Sequence, residues 1–322
     1  MASYLIRRLL QAVPLLIAIS IVVFALLQMT PGGPLSMGEG GSNPAAAAQM
    51  AKIREQYGLN DPIPVQYLHW IGGVVTGDWG DSFKTGQPVL QVIGERVGVT
   101  LTVSGLAFLL STVIALIIGV IAAVNRQSAF DYTTTGLSFI GLATPSFWFA
   151  LMLVYVFSFQ LGWLPASGLQ DLRAGYTGFD GAIDRIRHLI LPVAVLSLVS
   201  VASLTRYVRA SMLDVLAQDY IRTARGSGLA ERTVIVGHAL KNAAIPVTTV
   251  VLLSIPEIFL GAVITETIFG LPGMGRLFIE SANERDYPVL LGLLMIAALL
   301  VVIANLVADL VYARLDPRIS YA

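Results

Sequence analysis

Six stretches of this sequence, at 9–29, 99–124, 133–160, 188–204, 245–264 and 288–312, run on with almost no charged residue. A run of roughly 20 apolar residues is what a helix needs to span the ~30 Å hydrocarbon core of a bilayer. Inside hydrocarbon, backbone N–H and C=O groups must be satisfied within the segment or in a closed barrel. None of the six alternates apolar and polar residues with the period of two that a barrel strand requires. The expectation is therefore an all-α, polytopic membrane protein with six transmembrane helices. Composition agrees, because only 12% of residues are charged, against roughly 25% in a soluble domain. Mean hydropathy is +0.76.

Arg7 and Arg8 precede the first apolar run, as they would in a secretory signal. The run is longer than a signal's apolar region, however, and no small-x-small cleavage site follows Met29. The absence of cysteine excludes disulfides, thiolate chemistry, thiol-bound metal and lipid attachment at a cysteine. Basic residues near span ends set orientation. With the N-terminus inside, the inside segments hold eleven basic and six acidic residues, and the outside segments nine and thirteen. Six spans then put both termini in the cytoplasm. The whole chain, 1–322, is expected to be a single transmembrane domain, with an outside insert at 30–98 and a cytoplasmic segment at 205–243.

The outside insert is expected to be ordered. Asn43 can cap a helix with Pro44 at its first position and Gly58 as its stop. A second short helix carries Tyr67 and Trp70, residues suited to a membrane interface, and the segment is expected to cap the outer ends of the spans. A second outside loop, 161–187, brings Trp163 and Tyr176 to the same depth.

The cytoplasmic segment is polar and basic in a chain that is otherwise apolar. Leu213, Leu216, Ala217, Tyr220, Ile221 and Ala224 fall at the three-and-four spacing of an amphipathic helix, with Gln218, Asp219, Arg222 and Arg225 on the other side. Gly226, Ser227 and Gly228 break it, since glycine alone reaches positive φ without strain. A second helix from Glu231 to Asn242 then leads toward Pro246. Two short helices joined by a tight turn form either an arginine-rich element on anionic lipid or a rigid knob that passes force from a partner to the spans.

These residues resemble a known family. Tyr220-x-Arg222-Thr223-Ala224-Arg225-x-x-Gly228-Leu229, with Asn and Pro following, is similar to the EAA loop of ABC-transporter permeases of the oligopeptide and dipeptide (peptide/nickel) importers. The opening YLIRRLLQAVPLL, then YGLNDPIPVQYLHW, GDWGDSF, TPSFWFALML, LGWLPASG and ETIFGLPGMGRL resemble the B-type permease of that family, in order along nearly the whole chain. The resemblance implies the type I importer permease fold and a bacterial inner-membrane location. It also implies that Tyr220, Arg222, Ala224, Arg225 and Gly228 belong to a coupling helix that docks on a cytoplasmic ATPase. A departure is Ala230, where serine or threonine would cap the second helix. In ETIFGLPGMGRL, Glu266, Phe269, the Pro272-Gly273 turn and Gly275 are implied to form a gate-like outer hairpin. The partners implied are a homologous second permease, two cytoplasmic ATPases that hold ATP and Mg, an extracytoplasmic solute-binding protein and the bilayer, with no nucleic acid.

No G-x-x-x-x-G-K-[ST] is present for nucleotide phosphates. His69, His188 and His238 lack ligand spacing for metal, and no Ser-His or paired-Asp constellation marks an intramembrane enzyme. The chain is thus expected to bind no cofactor and to catalyse nothing. Ionisable residues inside spans are rare and costly, so Glu257 in the fifth run either faces a water-filled path or serves packing in a neutral or paired form. Pro145 should kink the third run. Beside it, Phe147 and Trp148 line the path or fill space between helices. The expected function is a permease for peptides, the alternatives being nickel chelates, opines or oligosaccharides as cargo, or an ion-coupled carrier.

Overall fold

The computed structural model describes residues 2–29, 54–55 and 58–315, and among these the regular structure is helical. The helix expected after Asn43 lies almost wholly outside the described residues. Helix α1 is Ala2–Gln28, α2 is Ile63–Thr76 and α3 is Val89–Val124. The third run forms α4, Ala129–Ala143, and α5, Ser146–Leu153, which continues as a π-helix, Val154–Gln160. Helix α6 is Gly178–Leu216 and α7 is Asp219–Gly226. One helical path then joins α8, Glu231–Thr233, a π-helix, Val234–Leu240, and α9, Lys241–Leu253. Short helices α10, Ile255–Leu260, and α11, Val263–Ile268, precede α12, Met274–Glu284, and α13, Tyr287–Leu315. Among the described residues, five helices are long and apolar enough to cross a membrane, and the bent pair α4 and α5, with the π-helix that continues α5, makes a sixth if it counts as one span.

The sequence expectations need three corrections. The third run does more than kink: its halves meet at 102°. Proline lacks an N–H and drives the preceding residue out of the helical region, and Thr144 is accordingly extended (φ −81°, ψ 121°). Its hydroxyl donates to the Ile140 carbonyl at 2.7 Å, beside the Thr144 N–H, which donates to the same carbonyl at 3.0 Å and closes the last turn of α4. The fourth span starts ten residues before its apolar run, because the charged residues there find partners. The buried Asp184 carboxylate accepts from the Asp171 N–H at 2.7 Å, and His188 Nδ1 lies 2.8 Å from the Asp184 carbonyl. The fifth run is not one helix through 264. It is interrupted at Ser254 and again at Gly261, whose φ of 77° is left-handed.

The chain forms two compact units, one of residues through Gly98 with Gly273–Ile303, the other of Val99–Pro272 with residues from Ala304. In the first, Val89, Val92, Ile93, Met274, Leu277, Val289 and Leu293 form a buried cluster. Asp286 is buried there and accepts from Ser82 Oγ at 2.5 Å and from the Phe83 N–H at 3.0 Å, which ties the GDWGDSF turn to the start of α13. Tyr67 and Trp70, expected at a membrane interface, pack on Phe24 of α1 with ring centroids 5.5 and 5.6 Å away.

In the second unit, α6 is the central post. A Cβ on Gly119 of α3 would stand 2.7 Å from the Val208 Cβ, and one on Gly141 of α4 would stand 3.2 Å from the Ala202 Cβ. Glycine at these positions lets both helices approach α6 at backbone distance. One buried cluster joins Val103, Ala107, Ala150, Leu191, Phe269 and Leu271. A second gathers Ala123, Val208, Met212, Ile221, Val234 and Ala239 at the other end of α6.

Candidate functional site

The amphipathic stretch that the sequence lays out from Leu213 to Ala224 is divided between two helices. Leu213 and Leu216 close α6, the chain turns at Ala217 and Gln218, and α7 begins at Asp219. Ile221 is fully buried and plugs α7 into the second cluster, while Ala224 packs partly against it. The opposite face of α7 is presented outward. Tyr220 is 44% exposed, the Arg222 side chain 77% exposed, and Arg225 is exposed as well. Acidic Asp219 in the first turn and Arg225 in the last match the helix dipole.

The turn after α7 is fixed by backbone and by charge. Gly228 has φ 77°, a conformation that a side chain would strain, and open space surrounds it. Ala230 supplies no side-chain cap to the next helix. Arg225 spans the turn instead, donating from Nε to Glu231 Oε2 at 3.1 Å and from Nη2 to Oε1 at 2.7 Å. These hydrogen bonds hold the Arg225 pKa above its ordinary value. The result is a short, stiff knob at residues 219–231, merged directly with the helical path that runs through Glu231–Phe259.

A second brace was not found from sequence. Asp131, at the start of α4, is buried and receives both arms of the Arg209 guanidinium from α6, with Nη2 to Oδ2 at 2.8 Å. The Gln127 N–H donates to the same carboxylate at 3.0 Å, and Gln127 itself has φ 64°. The 125–131 turn is thereby locked to the post that leads into the knob. With 78 residues between the partners, no local spacing could have shown the pair. Only the charge of each was visible.

Toward the other end of the helical path, Glu257 on α10 lines a cavity of about 430 Å³ with Ser104, Ser111, Ser200, Ser203 and Ser254. Pro145, Phe147 and Trp148 lie elsewhere, around a hollow of about 440 Å³ at the α4–α5 elbow. Phe147 and Trp148 are each 51% exposed. The four residues expected along a path thus fall into two groups, and the structure brings to Glu257 five serines set among apolar residues such as Phe108, Leu196 and Val250.

The hairpin residues are also divided. Glu266 is buried on α11 and accepts from Thr100 Oγ1 of α3 at 2.7 Å. Phe269 is buried in the cluster with Val103 and Leu191, and its carbonyl accepts from the Gly168 N–H at 2.8 Å. The LGWLPASG and ETIFGLPGMGRL motifs, legible separately, are therefore joined by a hydrogen bond. Pro272 ends this unit. Gly273 precedes α12 in the other unit, where Gly275 is buried.

Comparison with known proteins bears on this geometry. The family model described as "Binding-protein-dependent transport system inner membrane component" matches residues 115–321, and its N-terminal companion matches residues 1–104. The oligopeptide transport system permease protein AppB of Bacillus subtilis is 46% identical over the full length of both chains. The dipeptide transport system permease protein DppB of Escherichia coli K12 is 39% identical over 100% of this chain and 99% of its own. A solved structure described as an amino acid ABC transporter with histidines is 18% identical and covers 70% of this chain and 94% of its own at a TM-score of 0.48, a likeness too slight to bear on the fold.

Proposed function

We infer the role from family membership: this chain belongs to the binding-protein-dependent transport system inner membrane components, as a multi-pass permease subunit of an ABC transporter. We propose that its cargo is peptides, as the names of AppB and DppB say of those proteins. The chain forms half of the translocation path and pairs with a homologous second permease. Two cytoplasmic ATPases hold ATP and Mg, a solute-binding protein delivers cargo from outside, and this chain catalyses no reaction. Both of its termini lie in the cytoplasm.

The observation that carries the coupling role is the knob. Its Ile221 is fully buried while Tyr220, Arg222 and Arg225 face outward on a helix pinned at both ends. A helix so held moves as a unit when a partner grips its outer face, and the continuous path behind it conveys the displacement to Ser254 and Gly261, where the helix is already broken. Docking of the ATPases on Tyr220 to Gly228 would convert their ATP-driven closure into opening of the chamber.

Deleting the gene from its host and restoring it on a plasmid tests the cargo. Uptake of a labelled tripeptide should be lost and regained, with uptake of a nickel chelate, an opine and an oligosaccharide unaffected. Loss of one of those in place of the peptide would reassign the cargo. A cysteine at Ser227 should react with an impermeant thiol reagent from the cytoplasmic side alone, and labelling from outside would invert the topology. The ion-coupled carrier, the alternative in the sequence reading, would need several intramembrane carboxylates and gives way to this family membership. Uptake that needs ATP and persists in the presence of a protonophore is the expected result.

A further inference from the structure

The serine-lined cavity has a chemistry that a passive conduit does not need. A carboxylate within a membrane span is costly unless water, a cation or hydrogen-bond donors reach it. Glu257 is exposed, and among the described residues no basic side chain lines the cavity it shares with the serines. Three of those serines direct their hydrogens away from the space. Ser111 Oγ donates to the Phe108 carbonyl at 3.0 Å, Ser200 Oγ to the Leu196 carbonyl at 3.4 Å, and Ser254 Oγ to the Val250 carbonyl at 2.9 Å. A serine oxygen that has given its hydrogen to its own helix retains only acceptor capacity. The polar part of the lining is therefore a carboxylate and acceptor oxygens, set among apolar residues such as Phe108, Leu196 and Val250. At about 430 Å³ it has the size of a small-molecule site, for which ~300–1,000 Å³ is usual.

A group that matches such a lining is a cation with several N–H donors and no acceptor, which describes a primary ammonium. We propose that this cavity is a subsite of the translocation path that receives the primary ammonium of a peptide, with Glu257 as its counter-charge and the serine hydroxyls as its acceptors. This rests on the reading of the chain as half of a peptide path. The ammonium can come from the amino terminus or from a lysine side chain, and both present the same three donors. A peptide entering with its ammonium in the chamber keeps its carboxylate away from Glu257, so cargo would cross in one orientation.

Because the chain has no cysteine, Ser203→Cys gives it a single reporter in the lining. The intact complex in membrane vesicles is labelled, during ATP turnover, with a trimethylammonium-bearing and a sulfonate-bearing methanethiosulfonate, and reaction of this chain is read by mass spectrometry. Normalised to a free thiol, the cationic reagent should react about tenfold faster than the anionic one, and Glu257→Gln should bring the ratio close to one. Millimolar trialanine should slow the cationic reaction several-fold, and N-acetyl-trialanine should not. Protection by N-acetyl-Ala-Ala-Lys as well would extend the subsite to lysine side chains. No labelling from either side would remove the cavity from any aqueous path and overturn the path reading together with the subsite. Labelling at a ratio indifferent to Glu257→Gln, or equal protection by trialanine and its N-acetyl form, would overturn the subsite and leave the path reading standing.

Discussion

Where the helical path Glu231–Phe259 begins, Arg225 grips Glu231 through two hydrogen bonds, Ile221 is fully buried and a left-handed Gly228 fixes the turn. Where it ends, the helix breaks at Ser254 and Gly261, and Glu257 faces a cavity instead of a partner side chain. The first region is over-determined and the second is loosely determined, although they share one stretch of chain. A device that transmits force needs a stiff handle, and a device that opens needs a place to yield. Under the proposed coupling role the two ends take those two tasks, and the contrast can be attacked from either side.

The largest effect should come from the turn. Gly228→Val places a β-branched residue at φ 77°, at a cost of about 1–2 kcal/mol or more. Since open space surrounds Gly228, the damage is to backbone conformation alone. Peptide uptake should fall at least tenfold with the chain still in the membrane, whereas Gly228→Asn, which tolerates the left-handed region, should keep most of it. Equal uptake by the two variants would show that the turn's geometry is immaterial.

A middle effect is expected at the brace. Asp131→Asn leaves the Arg209 guanidinium without its counter-charge, and an unmet partner of this kind costs about 1–3 kcal/mol. Uptake should drop several-fold while ATP hydrolysis by the complex persists, because the handle is still gripped but its post has loosened. Proportional loss of both would place Asp131 in folding and not in transmission. The smallest effect belongs to the exposed clasp. Glu231→Gln removes the charge that Arg225 holds, yet exposed pairs are screened and weak, so uptake should change less than twofold and the difference from wild type should shrink at high salt. A tenfold loss at any salt would mean that the clasp, and not the buried Ile221 with the Gly228 turn, sets the stiffness of the handle.

The apolar runs were legible because length and hydropathy are local properties, and so was a kink at Pro145, but not its 102° extent. Other prolines show where that reasoning ends. Pro192 and Pro246 sit inside helices that continue through them, so proline alone does not decide between a bend and a break. The 102° elbow forms where Thr144 adopts extended dihedrals while its N–H and its hydroxyl both donate to the Ile140 carbonyl. Helix boundaries were hidden wherever charged residues are retained by distant partners, as Asp184 is by the Asp171 N–H. The three-and-four spacing across Leu213 to Ala224 was real in the sequence but continues over a turn, since residues of two helices serve the same cluster. For the site, the knob's residues were readable because they lie together, and Glu257 because a carboxylate in an apolar run stands out. The serines around it, from three separate helical segments, and the Asp131–Arg209 brace depend on tertiary contact and left no mark in local pattern.

The most direct test of the coupling role is to purify the tagged chain in mild detergent, identify what accompanies it, and measure ATP hydrolysis with the 220–228 stretch intact and with it replaced by a flexible Gly-Ser segment. The account predicts recovery of a second permease and P-loop ATPases with the intact chain, and loss of the ATPases and their activity after replacement. Recovery of the same ATPases at full activity with the replaced stretch, or of a stable chain alone in both cases, would contradict it.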